Sequence, residues 1–280
     1  MKVIPNRFVG KVAHSSLIRE VIKYIERRDL NKLPNVVYSL NHLRYLSGRD
    51  LNRIFVDPNN EAEWSKITEL IKGLELPEMM GGVNRGDQRA IFYLINSFKP
   101  NNVLEIGTHI GCSTVHIALA LRKNAIGHLT TVDLIDINDP VKKHWVRFNS
   151  KHPPSKLMEM VGTAAKVSFM KDDSINFLTN CRQKFDFVFL DGSHKAKMVF
   201  QEVPLAMRLL NKNGIILLHD YFPRNEPIWD NVATISGPYL AINKIINEEK
   251  NIAVIPLGEL PWKTKADSCY TSLALLTKKY

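Results

Sequence analysis

At 280 residues, with 45% hydrophobic and 24% charged side chains, the chain has room for an ordinary globular core, which excludes wholesale disorder. No apolar run approaches the roughly 20 residues of a membrane span, and MKVIPNRFVGKVAHSS lacks the apolar stretch of a secretory signal, so a cytoplasmic protein is expected. The net charge of +10 is concentrated early, with eleven Lys/Arg against four Asp/Glu in residues 1–55; it would suit an anionic partner or a solvated helical surface, and no nucleic-acid-binding motif accompanies it.

Leu17, Ile18, Val21, Ile22 and Ile25 recur at helical spacing after Ser15 and Ser16, which are N-cap candidates. A second helix is predicted over Asn35–Leu46, ending near Ser47-Gly48, and a third over Glu61–Leu74. Leu76–Val83, with Pro77, Gly81 and Gly82, reads as a linker. Beyond it a helix over Gly86–Phe98 precedes Pro100, and strands then alternate with helices. The predicted strands are Val103–Ile106, Leu129–Leu134, Val167–Met170, Phe185–Leu190, Ile215–Leu218, Ile252–Ile255 and Ser272–Leu276. The predicted helices between them are Thr114–Arg122, Ser174–Asn180, Lys197–Leu210 and Tyr239–Asn247, and Asp136–Gly162 is irregular. This alternation implies an α/β fold with a doubly wound, mostly parallel seven-stranded sheet over residues 83–280. Residues 1–82 form a helical N-terminal extension, expected to serve as a substrate lid or an oligomer contact.

In such sheets ligands bind beyond the carboxyl ends of the strands, so the residues after each strand carry the functional signal. The first strand runs into Leu104-Glu105-Ile106-Gly107-Thr108-His109-Ile110-Gly111-Cys112-Ser113-Thr114. Gly107 and Gly111 let the backbone turn tightly against a ligand, and Ser113 and Thr114 are placed to cap the following helix. The spacing is GxxxG rather than the GxGxxG of pyrophosphate turns, and Glu105 fits a ligand with a cationic amino-acid end. His109 and His116 read as packing or capping residues. Cys112, Cys181 and Cys269, without CxxC spacing, read as reduced thiols.

VLEIGTHIGCST resembles motif I of class I methyltransferases, which wraps the methionine part of S-adenosylmethionine. The resemblance implies cofactor contacts from Glu105, Gly107, Thr108, Gly111, Ser113 and Thr114. Asp133 ends the second strand, 26 residues after Gly107, where a carboxylate can accept both ribose hydroxyls. Asp173 and Ser174, after the third strand, are similar to the family's segment beside the adenine, although an N-cap role suits Asp172 or Asp173 equally. The fourth strand ends in Leu190-Asp191-Gly192-Ser193-His194 and the fifth in Leu218-His219-Asp220-Tyr221. Carboxylates at neighbouring strand ends can hold a hard divalent cation with positions left open for substrate oxygens.

These segments resemble metal-dependent small-molecule O-methyltransferases of the catechol and macrocin types, over residues 84–280. The resemblance implies a divalent metal, Mg or Mn, on Asp191 and Asp220, with Asp191 also bordering the cofactor. His194 falls where the family places its catalytic base. At the third ligand position the chain departs from both types: Tyr221 replaces an Asn and His219 an acidic residue. His219 is therefore a candidate ligand whose imidazole suits Mn, Fe or Zn better than Mg. The expected acceptor is a hydroxylated small molecule, and a homo-oligomer is compatible with the extension. Two other readings stand: a metal-independent methyltransferase acting on nucleic acid, against which the fourth strand lacks NPPY or DPPY, and a NAD-dependent oxidoreductase, against which GxxxG counts. Trp64, Trp145 and Trp229 are expected to pack, and Tyr221–Pro238 suits a substrate lid.

Overall fold

A computed structural model describes residues 16–77, 82–230, 232–265 and 267–279. Its strands are β1 (Asn102–Ile106), β2 (His128–Asp133), β3 (Val167–Lys171), β4 (Phe185–Leu190), β5 (Leu210–Leu218), β6 (Ile252–Pro256) and β7 (Ala274–Lys278). They form one sheet in the order β3-β2-β1-β4-β5-β7-β6. β1 to β5 pair in parallel, and β7 lies antiparallel between β5 and β6, so the predicted sheet is present with one antiparallel strand. The helices are α1 (Ser16–Asn31), α2 (Gly48–Phe55), α3 (Pro58–Lys72), α4 (Arg85–Phe98), α5 (Cys112–Lys123), α6 (Pro154–Met160), α7 (Ser174–Asn180), α8 (Ala196–Leu209) and α9 (Gly237–Glu248). Among the described residues no helix is long and apolar enough to cross a membrane.

Successive strand residues point to opposite faces, and the sequence supplies apolar side chains for both. Val103, Phe187, Phe189, Ile215 and Leu217 join the layer that contains α4 and α5, while Leu104, Ile106, Val188, Leu190, Ile216 and Leu218 join the layer of α8 and α9. Each such side chain, fully buried, contributes roughly 1.5–3 kcal/mol. The chain passes from β1 outward to β3, then returns to β4 and proceeds the other way. The crevice at that reversal, at the carboxyl ends of β1 and β4, is where an open α/β sheet takes its ligand.

The extension corrects the sequence reading in three places. Asn35–Leu46 is not a helix; it holds only a short 3-10 turn at Leu40–His42. Ser47-Gly48, read as a helix end, is a helix start, because the Ser47 hydroxyl accepts from the Asp50 backbone N–H while the Asp50 carboxylate accepts from Ser47 N–H. That reciprocal pair is a capping box, a stronger local signal than the preceding apolar pattern. The third helix begins earlier than predicted, with Asp57 as N-cap and Pro58 in the first turn. On α1, Val21, Ile22 and Ile25 are exposed, so this part of the apolar pattern is not a packed face; the side chains of Leu17 and Ile18 lie outside the described ones. Leu30 packs with the α8 and α9 layer, and Leu51, Phe55 and Ile67 of α2 and α3 pack with the α4 and α5 layer. Between them the chain crosses the sheet, where Arg44 N–H donates to Gly214 O and Leu46 N–H to Thr277 Oγ1. The part of the linker at 78–81 lies outside the described residues.

Candidate active site

The turn after β1 is shaped by one steric requirement. Gly107 has φ +99°, and a Cβ there would lie 2.4 Å from the Asp191 carbonyl oxygen. Only glycine lets β1 and β4 end this close together. Asp191 N–H donates to Ile106 O, so the strand pairing carries the Asp191 carboxylate to the same level as the turn.

Glu105 does not face the crevice. It is fully buried beneath the turn and accepts from the hydroxyls of Ser113, Thr114 and Thr131 at 2.5–2.6 Å. Burial pushes its carboxyl up, the three hydroxyls pull it back, and it rests at about 7. Glu105 and Thr114, expected at the cofactor, are both fully buried beneath the turn and do not line the cavity above it. Ser113 and Thr114 do not cap α5 either; the N-cap is Gly111, at φ +84°, and both hydroxyls are drawn down to Glu105. Burial has this effect because an inward carboxylate without donors would cost several kcal/mol.

Above the turn lies a cavity of about 750 Å³ lined by Gly107, Thr108, Ser113, Asp133, Asp191 and His194, among others. A second, of about 500 Å³, shares Gly107, Asp133 and Gly192 and extends past Asp172, Asp173, Ser174 and Glu202. Asp133 stands between the two, its Oδ2 accepting from His109 N–H at 2.9 Å and its Oδ1 from Ile135 N–H. Asp173 is the N-cap of α7, accepting from the N–H groups of Ile175 and Asn176, and Ser174 donates to the buried Glu202. Both remain at the cavity wall while serving those local roles.

The acidic end of the larger cavity draws β4, β5 and α4 together. His219 Nδ1 lies 3.1 Å from Asp191 Oδ1 and 3.5 Å from Asp220 Oδ1. These are ion-pair distances, but the direction is wrong for a hydrogen bond, and the buried Nδ1 has no hydrogen-bond partner. On its other side Nε2 lies 3.3 Å from Oδ2 of Asp87, a fully buried carboxylate at the start of α4. Burial alone would discourage charge on the His219 ring, yet Asp191 and Asp220 outweigh it and raise its proton affinity well above the ordinary. Burial would likewise raise the Asp220 carboxyl, but His219 and His194 beside it hold it below its usual range. The space between these groups calls for positive charge.

His194 stands half-exposed at the cavity wall, with Nδ1 3.2 Å from Asp220 Oδ2. Its backbone is fixed from two directions. Gly237 of α9 packs so tightly that a Cβ would overlap the His194 carbonyl, and Glu26 of α1 accepts from Ala196 N–H at 2.6 Å. The extension thereby supports the loop that carries His194.

Asp191, His194, His219 and Asp220, chosen from two separate strand ends, are brought together. Asp87 was missed, because an acid three residues after Asn84 reads as a first-turn helix residue and nothing local distinguishes it. Lys265, Thr264 and Ile235 also line the cavity from loops without a motif. His109 packs against Phe148, and His116 is buried against Trp64, where burial pushes its imidazole down to about 4. Trp145 and Trp229 are buried, the latter donating to Tyr270 O, as packing predicts. All three cysteines are free.

Residues 104–221 match the family described as a methyltransferase domain. No curated protein matches the chain in sequence. Among solved structures, the O-methyltransferase TomG of Streptomyces achromogenes, solved with S-adenosylmethionine, is 16% identical with a TM-score of 0.52, over 84% of this chain and 100% of that one. An O-methyltransferase of Bacillus cereus, in complex with S-adenosylhomocysteine, is 16% identical with a TM-score of 0.51, over 83% and 100%. A Podospora anserina methyltransferase, also bound to S-adenosylhomocysteine, is 17% identical with a TM-score of 0.50, over the full length of both chains. At these identities the likeness speaks for the fold. Residues 104–221 thus match a methyltransferase domain, and the seven-stranded sheet that carries them has the Rossmann-like fold of these solved methyltransferases.

Proposed function

We propose that the chain transfers the methyl group of S-adenosylmethionine to a hydroxyl of a small molecule, with a divalent ion held by Asp191, His219 and Asp220. The observation that carries this reading is the continuous set His194–Asp220–His219–Asp191 at the wall of the cavity that Gly107 and Ser113 also line. The methionine part of the cofactor would lie along Gly107, Thr108, Gly111 and Ser113, its ribose at Asp133, and its adenine in the second cavity beside Asp173 and Ser174. Glu105 and Thr114 would act from beneath.

The residues fit a divalent ion. One ligand atom from each of Asp191, His219 and Asp220 lies within 4.8 Å of the others, and the orphaned Nδ1 faces the two carboxylates. Bound there, such an ion would lower the pKa of an acceptor hydroxyl and orient it. Asp220 has two tasks on separate oxygens: Oδ1 is on the side of His219, and Oδ2 orients His194. His194 takes the hydroxyl proton, and in-line transfer from the sulfonium then depends chiefly on how the acceptor is held.

Methyl transfer from labelled S-adenosylmethionine to a panel of phenols, catechols and sugar hydroxyls, with and without chelator, tests the reading. Turnover should require a divalent ion, and His194→Ala should lower it about 10²-fold or more while S-adenosylhomocysteine binds unchanged by calorimetry. Unchanged turnover in His194→Ala would remove it as the base; turnover indifferent to chelator would remove the metal.

A further inference from the structure

Asp87 pairs with its N-cap, Asn84, but its carboxylate also reaches well beyond the helix end. It is fully buried. Its Oδ1 accepts from the Thr271 hydroxyl, whose oxygen is already engaged by Leu273 N–H. Its Oδ2 accepts from Asn84 Nδ2 at 2.6 Å, and the orientation of that amide is pinned because Asn84 Oδ1 accepts from Asp87 N–H. The remaining neighbour of Oδ2 is His219 Nε2 at 3.3 Å. With donors on all other sides Asp87 stays an acceptor, and so Nε2 carries the hydrogen. With a cation in place of a proton beside Asp191 and Asp220, the ring is neutral and would present the Nδ1 lone pair, the atom that faces both carboxylates without a hydrogen-bond partner.

Asp50 provides the contrast within the same chain. It also stands three residues after an N-cap, and its carboxylate turns back to the Ser47 N–H and hydroxyl, as a capping residue does. Asp87 leaves its N-cap backbone N–H alone, accepts at that end only from the Asn84 side-chain amide, and extends to Thr271 and to His219 of the β5 end. Its position is firm: Gly86 beside it packs under Thr264, and Trp262 Nε1 donates to Gly86 O.

We propose that Asp87 is the positioning carboxylate of the metal centre, holding His219 with Nδ1 toward the ion and so favouring a transition ion such as Mn²⁺ or Co²⁺ over Mg²⁺. The proposal rests on the metal reading above. Hydrogen bonding of a ligand imidazole to a carboxylate fixes its tautomer and raises its basicity. Imidazole serves borderline transition ions well, whereas Mg²⁺ prefers oxygen.

The test is binding to the metal-stripped protein, read without turnover: calorimetry with Mn²⁺ and with Mg²⁺, and visible absorption with Co²⁺. Wild type should bind Mn²⁺ more tightly than Mg²⁺. Asp87→Asn should weaken Mn²⁺ and Co²⁺ about 10–100-fold, change the Co²⁺ spectrum, and leave Mg²⁺ affinity nearly unchanged. His219→Asp, which leaves α4 untouched, should swing the preference toward Mg²⁺ and cancel the effect of adding Asp87→Asn. If wild type binds no divalent ion, the metal reading falls, and this proposal with it. If wild type binds Mn²⁺ but folded Asp87→Asn binds it equally well, or His219→Asp keeps the same Mn²⁺-to-Mg²⁺ ratio, the role of Asp87 is overturned while the metal reading stands.

Discussion

Two buried polar clusters lie at the carboxyl ends of β1 and β5, and they are built on opposite plans. Around Glu105, three hydroxyls converge on one carboxylate and every member has a partner. Around His219, two carboxylates face a nitrogen that has none. A closed polar cluster inside a protein is scaffolding, since it satisfies itself and holds the backbone that carries it. An open one has a cost that only a ligand or a proton relieves, and so it marks a place for chemistry. The first cluster shapes the glycine turn; the second calls for positive charge.

The largest effect expected from this contrast is at the open cluster. Asp220→Ala removes an oxygen from the proposed ion site and the partner of His194 in one change. Turnover should fall on the order of 10³-fold, about 4 kcal/mol, while S-adenosylhomocysteine affinity measured by calorimetry stays within a few-fold. A comparable loss of cofactor affinity would show that the two clusters are not separable.

At the closed cluster the effect should appear in stability, and with a definite sign. The Glu105 carboxyl is raised from 4.5 to about 7 in the fold, which corresponds to about 3 kcal/mol. Between those values the folded chain keeps a proton that the unfolded chain has lost. Its contribution is therefore full below pH 4.5, declines as pH rises through 7, and is flat beyond. Urea unfolding of wild type and Glu105→Gln across pH 4.5–8 should give a difference curve with that slope. A flat difference would mean that the hydroxyls hold Glu105 ionised throughout.

Asp133, at the end of β2 on the far side of β1 from His219, should show the smallest change. Its carboxylate already holds the turn through His109 N–H, so Asp133→Asn keeps an acceptor while losing the charge. Hydrogen bonds to charged groups are worth about 1.5–3 kcal/mol, and S-adenosylhomocysteine should bind about 30-fold more weakly, with stability little altered. Unaltered binding would place the ribose elsewhere.

Both clusters were half legible in the sequence. Glu105, Asp133, Asp191 and Asp220 stand at the ends of apolar runs, and that position is readable because strand period and glycine turns are local properties. Whether a side chain at a strand end points up into the crevice or down into the core was not readable. Glu105 is one residue before Ile106 in the same strand, and the alternation of the pleat alone turned it toward α5. Asn35–Leu46 differs for a related reason, since the capping box at Ser47 starts a helix where the apolar residues before it suggest one ending.

By itself, then, the sequence determined the α/β alternation, the glycine turn and the acidic strand ends, because each depends on residues within a few positions of one another. Only the tertiary structure decided which of these groups face each other. His219 meets Asp87 across 132 positions of chain, and Ala196 meets Glu26 across 170. Those meetings follow from the packing of α4 and α1 on the sheet, where burial makes each donor seek an acceptor that no local pattern announces.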